Sequence, residues 1–497
     1  MRHILLRILI LSTAHAALNA CASYPLNEPL EEIDQTAGYR MNTRTLGEKN
    51  SDQLFVILAL SGGGVRAAAL DYGVMKYLDE ITIGSDGRTL LDEVDLISSS
   101  SAASIPAAYF GLYGKDMFLE DFMDDVLYKR MQSDITRRLM NPGHWPRLMS
   151  GTFSRGDLWA EYLDREVFHD KTFADMQPVR PFILLNATDM GLGSQFSFAQ
   201  ANFDLICSDM TAFPVSRAVT ASMAFTPAFT AITLKNYNDG RCGFTTPAWV
   251  IQAMDDGVEK YPSVYSAALD VLSYQNVEDR PWIHLLDSGI SDNIGIRTPA
   301  IAFTLRDTPA SQVDRVEDGT IKKLVIMLVN ARPKTPFDGD LRPKPPGAIT
   351  SVMAAAGHPL ANYSFETVHL IKRDIQDARS KSIRYQENRQ ACIAHAEALT
   401  TDLKLDNAGK QQAEDDCFEK FGVTDDDRPI ELDIYLVHIS FDLIEDPERR
   451  ERFESMPTSL QLPKEDVDDL IEIAPELMHE EPEFLHLLKD LGDDVTN

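Results

Sequence analysis

Apolar residues in this chain gather in short unbroken runs separated by glycine-rich or serine-rich breaks, and the alternation sets the predicted elements. Leu54-Phe-Val-Ile-Leu-Ala-Leu60 is apolar throughout and of strand length, as expected of a strand covered on both faces of a parallel sheet. Ser61-Gly-Gly-Gly-Val-Arg66 ends it, and Leu70, Val74 and Leu78 then recur at helical spacing. Val94-Asp-Leu-Ile97 starts a second run that passes through four serines, Ser98 to Ser101, into Ala102-Ala-Ser-Ile-Pro-Ala-Ala-Tyr-Phe110. This stretch predicts a strand, a sharp turn and a buried helix. Pro181 to Thr188, Trp282 to Leu286 and Ile321 to Asn330 predict further strands. Gly111 to Arg180 is mostly helical with a break at Asn141-Pro-Gly143, and Val215 to Leu234 predicts a tightly packed helix followed by a turn at Pro227.

The later chain is more polar. Five prolines between Pro333 and Pro346 predict an extended connector, and Tyr363 to Phe421 a long, highly charged helical region. Leu432 to Phe441 alternates, as a strand with one wetter face would. Leu470, Ile473, Leu477, Leu485 and Leu488 predict two packed helices broken at Pro475 and Pro482. Residues 22–52 show no period, so they predict a polar tether in which Pro25 and Pro29 discourage helix. There is no internal repeat.

A length of 497 residues allows two or three structural units, and 77 acidic against 47 basic side chains give a net charge of −30. Such a surface repels phosphate backbones, which argues against a nucleic-acid partner, and it disfavours adsorption to anionic membranes unless an anchor overrides it. The N-terminus supplies a candidate anchor. Arg2 and Arg7 precede the apolar run Ile8 to Leu11, and small residues follow up to Cys21, the shape of a secretory signal over residues 1–21. The run is too short to span a bilayer. Leu18-Asn-Ala-Cys21 resembles the lipobox of bacterial lipoproteins, which implies lipidation of Cys21 and a place in the bacterial cell envelope, facing the periplasm. Export suits the other four cysteines, Cys207, Cys242, Cys392 and Cys417, which allow three pairings in an oxidising compartment. The local pairing, Cys207 with Cys242 and Cys392 with Cys417, would stabilise each loop by about 3 kcal/mol on the chain-entropy account. None of these cysteines has zinc-site spacing, and no metal is expected.

Three turns follow predicted apolar strands: Gly62 to Gly64, Ser99 to Ala103 and Asp287 to Gly289. In an open parallel α/β sheet such turns converge outside the carboxyl ends of the strands. Together they offer backbone N–H donors, a hydroxyl on Ser101 and a carboxylate on Asp287, which is what acyl transfer requires. Nucleotide binding at the glycine turn is the weaker reading, because Ala67 stands where a third fingerprint glycine would be and no lysine-serine pair follows. Asp292 is set as Ser291-Asp-Asn293, which reads as a helix cap.

With these motifs the chain resembles a bacterial patatin-like phospholipase. The resemblance rests on Ser-Gly-Gly-Gly-x-Arg at 61–66, the serine elbow at 99–103, Phe225-Thr-Pro227 and the Asp287 turn, and it covers roughly residues 54–300. It implies a three-layer α/β/α sandwich with a mainly parallel sheet, a catalytic core over 53–335 and a mostly helical C-terminal extension with one added strand over 336–497. It further implies hydrolysis of phospholipid or other acyl-ester lipid, without a cofactor, by a Ser101–Asp287 dyad with an oxyanion loop at Gly62, Gly63 and Gly64. The rival chemistry is a Ser-His-Asp triad using His438 or His284, both of which fall within predicted strands. The family pattern is usually Gly-x-Ser-x-Gly and Asp-Gly-Gly or Asp-Gly-Ala; here they are Ser99-Ser-Ser101-Ala-Ala103 and Asp287-Ser-Gly289. A residue with a Cβ in place of a left-handed glycine costs on the order of 1 kcal/mol or more. The competing function is therefore a catalytically impaired envelope lipoprotein that binds lipid or a protein partner.

Overall fold

A strand covered on both faces must be apolar along nearly its whole length, and the apolar runs take up that role. The computed structural model describes residues 26–492 apart from 85–86, 227, 307, 309, 333–342, 344, 405, 424–428 and 430. Its main sheet has eight strands: Leu54–Leu60 (β1), Val94–Ser99 (β2), Phe182–Asp189 (β3), Gln195–Phe198 (β4), Ile232–Lys235 (β5), Trp282–Leu286 (β6), Lys323–Asn330 (β7) and Asp433–Ser440 (β8). The order is β8–β7–β1–β2–β3–β6–β5, with β4 paired to β3. Every residue of β1, β2 and β3 is buried. Pairing is parallel from β8 to β3 and antiparallel at β3–β6, β6–β5 and β3–β4.

Helices cover the sheet in a three-layer α/β/α arrangement. Val65–Glu80 (α1) follows β1 and Ser104–Phe122 (α2) follows β2; Val215–Ser222 (α3), Ala248–Asp256 (α4), Pro262–Tyr274 (α5) and Arg297–Ala302 (α6) come before β7. Ala348–Leu403 (α7) and Asn407–Phe421 (α8) form a helical pair closed by the Cys392–Cys417 disulfide. Lys464–Glu480 (α9) and Pro482–Asp490 (α10) follow β8. The other disulfide joins Cys207 to Cys242. Among the described residues no helix is long and apolar enough to cross a membrane. The signal and lipidation expectations, Cys21 included, lie outside the described residues, as do Pro227 and most of the proline-rich connector.

Four expectations need correction. From residue 26 onward the predicted tether is packed against the domain. Glu28–Pro29 pairs with Ser208–Asp209, the Tyr39 hydroxyl donates to the Ile183 carbonyl at 2.9 Å, and Arg40 meets Asp204 at 2.7 Å with both side chains buried. Polar residues without period can still be built in when each finds a distant partner, which local sequence does not reveal. Nor does the core end at residue 335. β8 extends the sheet from β7, α9 packs on α1, and residues 456–459 hold the glycine turn after β1.

The third correction concerns α9, which runs through Pro475 instead of breaking there. Pro475 cannot donate to the Ile471 carbonyl, and α1 approaches at that point through Gly73, where an added Cβ would lie 2.7 Å from the Ile471 oxygen and 3.0 Å from the Ala474 Cβ. Burial of Leu470, Ile473, Ala474 and Leu477 keeps the helix intact. Fourth, β6 runs against β3, so Asp287 follows an antiparallel strand. It still reaches the carboxyl edge of the sheet because β6 overlaps only the last two residues of β3, with Leu285 opposite Asp189 and Leu286 opposite Thr188.

The α1–α9 contact has no room for a larger side chain at residue 73. Gly73→Val should lower unfolding free energy by about 1–3 kcal/mol, the usual range for overpacking, read in urea or thermal melts. A variant as stable as the parent would show that the two helices can separate freely.

Candidate active site

Strand register brings the three turns level. Leu60 pairs with Ser99 and Ser99 with Leu185, so Gly62, Ser101 and Ala187 each stand two residues beyond one line across the sheet. Leu286 opposite Thr188 carries Asp287 to the same height from the other direction. The Ser101 hydroxyl donates to Asp287 Oδ2 at 2.8 Å, and the Gly289 N–H donates to Asp287 Oδ1 at 2.8 Å. Ser101 is partly exposed while Asp287 is buried.

The elbow is strained at one residue. Ser101 has φ of 53°, the left-handed region that costs an L-residue roughly 1–2 kcal/mol, and it sits between β2 and the single turn that leads into α2. Ser99, Ala103 and Ser288 do not share that conformation: only Ser101 in these turns is a non-glycine with positive φ, and Ser288 lies at φ −61°. A Cβ at the positions where the family usually has glycine therefore meets no backbone penalty.

Hydroxyls knit the turns together. The Ser288 hydroxyl accepts the Ser101 N–H at 2.8 Å and lies 2.7 Å from the Ser100 hydroxyl and 3.2 Å from that of Ser222. Ser104 donates to Ser222 at 2.7 Å and stands 3.1 Å from Ser99. Thr188 donates its hydroxyl to the Asp287 carbonyl at 2.8 Å. Each buried hydroxyl thus has a partner, so the serine-rich stretch can be dry without the cost of orphaned polar groups. The sequence offered Ser288 as a visible departure in the Asp287 turn; its partnership with the elbow depends on a separation of 187 residues that no local pattern encodes.

The three glycines differ in what they can offer. The Gly62 N–H is taken by the Asn293 carbonyl at 3.1 Å, and a Cβ there would meet Asn293 Oδ1 at 2.7 Å and Ser101 Cβ at 2.9 Å. Gly63 and Gly64 donate their N–H groups to no acceptor among the described residues. Gly64 has φ of 69°, and a Cβ on it would strike the Ser459 carbonyl. Val65 N–H donates to that same carbonyl at 2.8 Å. Arg66 is buried, with Nε on the Ala331 carbonyl at 3.0 Å, Nη1 on the Met456 carbonyl and Nη2 on the Thr458 hydroxyl at 3.2 Å. Burial lowers its pKa to about 10, so the guanidinium remains cationic at neutral pH, beside Gly63.

Among the described residues no imidazole joins the pair. His438 lies on β8, separated from β2 by β7 and β1, which at about 4.8 Å per strand is on the order of 14 Å. Its Nε2 is 3.3 Å from Asn330 Nδ2, and burial lowers its pKa to about 4. His284 Nδ1 is 2.9 Å from the Thr233 hydroxyl. Asp292 accepts the Ile294 and Arg297 N–H groups at 3.2 and 2.8 Å, so it holds the loop that presents Asn293.

Burial pushes the Asp287 carboxyl up to about 6, while the Gly289 N–H and the Ser101 hydroxyl pull it down. The result is a carboxylate poised as a base just below neutral pH, against a strained hydroxyl and two free amides: a set suited to nucleophilic attack on a carbonyl.

The model of the patatin family, described as patatin-like phospholipase, matches residues 58–300. Among solved structures, human GIVD cytosolic phospholipase A2 is similar at 13% identity and a TM-score of 0.30, over 56% of this chain and 45% of that one, less than half of its length. No curated protein matches the chain.

A raised carboxyl pKa has a signed effect on stability. Between the ordinary value of 3.8 and about 6 the folded state keeps a proton that the unfolded state has lost, so stability falls as pH rises through that window. Asp287→Asn removes this penalty: its stability relative to the parent should be higher at pH 8 than at pH 4, by about 2–3 kcal/mol for two pKa units. Paired urea melts at the two pH values measure it, and a variant relatively weaker at pH 8 would contradict a desolvated Asp287.

Proposed function

We propose that the chain, whose residues 58–300 match the patatin-like phospholipase family, is a serine acyl hydrolase that cleaves acyl esters of phospholipid or related lipids. The observation that carries the reading is the 2.8 Å hydrogen bond from the strained Ser101 hydroxyl to the buried Asp287 carboxylate. Ser101 Oγ attacks the ester carbonyl carbon as Asp287 takes its proton. The carbonyl oxygen becomes an oxyanion and accepts the Gly63 and Gly64 N–H groups, with the Arg66 cation close behind them. Collapse breaks the bond to the leaving alcohol, which receives the proton from Asp287. Water, deprotonated by the same carboxylate, then attacks the acyl-serine, and the free acid leaves as Ser101 regains its proton. Gly62 serves by position, since its N–H is already bonded.

Export and a lipid anchor at Cys21 belong to the same proposal, placing the enzyme in the bacterial envelope beside its substrate. The two disulfides support an oxidising compartment. The alternative, an impaired lipid binder, drew its force from the missing elbow glycines, and the negative φ at Ser99, Ala103 and Ser288 removes that reason.

A fluorophosphonate probe should label the purified protein and fail to label Ser101→Ala. Hydrolysis of a lipid ester should fall to background in Ser101→Ala and by about 10²–10⁴ in Asp287→Asn. In the parent, activity should drop tenfold per pH unit below about pH 6, where Asp287 becomes protonated. Labelling that persists in Ser101→Ala, or full activity in Asp287→Asn, would rule the dyad out.

A further inference from the structure

A hollow of ≈ 490 Å³ lies between the sheet and the α4–α5 pair, with Phe55, Leu96, Phe182, Leu184 and Trp249 among its walls. Neither Ser101 nor Asp287 lines it. Its size is within the roughly 300–1,000 Å³ usual for ligand sites, and aromatic and aliphatic walls of this kind suit a hydrocarbon chain.

The polar groups in those walls point to the other end of a ligand. Arg40, Gln195 and Thr308 line the cavity, and Arg40 Nη1, Gln195 Nε2 and Thr308 Oγ1 are buried with no hydrogen-bond partner among the described residues. Buried donors are ordinarily satisfied. Gln195 is held in orientation because its Oε1 accepts from the Thr298 hydroxyl at 3.0 Å, which leaves Nε2 as the free end. Nη1 and Nε2 can only donate, so the complementary group is an acceptor.

Charge decides what kind of acceptor. Arg40 Nη2 is already paired with Asp204 Oδ2 at 2.7 Å, and Asp270 is a second carboxylate in the lining. Burial raises the pKa of both acids against the pull of Arg40 on Asp204 and of Arg280 on Asp270. A further anion would be repelled, whereas an uncharged carbonyl would not.

We propose that this cavity is a second lipid site, distinct from the reacting serine, that takes a single acyl chain bearing an uncharged ester or amide carbonyl, with Gln195 Nε2 as the donor to that oxygen.

The test uses the full chain carrying Ser101→Ala, so that an ester is not consumed, titrated with 1-(11-bromoundecanoyl)glycerol below its micellar concentration and followed by tryptophan fluorescence. The expected result is saturable quenching that disappears in Trp249→Phe and in Ala267→Phe, which fills the cavity from α5. Gln195→Leu, a milder change, should weaken the apparent Kd about tenfold, as loss of one hydrogen bond does. The anion 11-bromoundecanoate at pH 8 should bind at least tenfold more weakly than the glyceride. Quenching that is unsaturable or survives Trp249→Phe overturns the proposal, as does a Gln195→Leu variant with the parent's affinity or an anion that binds as tightly as the ester.

Discussion

One guanidinium ties the molecule's distant parts together. Arg66, on the first turn of α1, reaches the Ala331 carbonyl after β7 and the Met456 carbonyl and Thr458 hydroxyl before α9. Taking that charge out of water costs several kcal/mol unless its donors are met, and no carboxylate pairs with it among the described residues. The carbonyls that meet it are therefore not interchangeable with solvent. They draw residues 331 and 456–458 against the glycine turn, and Ser459 is thereby set where Gly64 and Val65 require it.

The polarity of the elbow follows the same rule on a smaller scale. Four consecutive serines at the end of a fully buried strand would be unstable in an apolar setting. They persist because Ser222 and Ser288 bring hydroxyls from two other segments into the same space. Where glycine would merely leave room, serine adds a bond between turns. Backbone strain is confined to Ser101, the residue whose hydroxyl faces the carboxylate.

Much of this was legible from residues alone, and the reason is physical. Strands buried on both faces must be continuously apolar, so Leu54–Leu60, Phe182–Asp189 and Lys323–Asn330 announce themselves, and with them the turns where chemistry gathers. Direction is another matter: β6 looks like any short apolar strand, and nothing in Trp282–Leu286 says that it runs antiparallel to β3. Long-range partnership was equally hidden. Tyr39 and Arg40 lie in a polar stretch without period, yet their partners Ile183 and Asp204 bury them. Pro475 reads locally as a break, and only the packing of α9 on α1 keeps the helix continuous across it.

The loop that carries the free amides near the start of the chain is seated on Ser459, and the sheet gains its last strand only with residues 433–440. Order of synthesis then matters. A ribosome releases the serine, the aspartate and the glycines long before it releases the segment that steadies them, so the nascent polypeptide carries all its reactive groups in an unfinished setting. The geometry around the serine–aspartate pair is complete only once residue 459 has joined the fold.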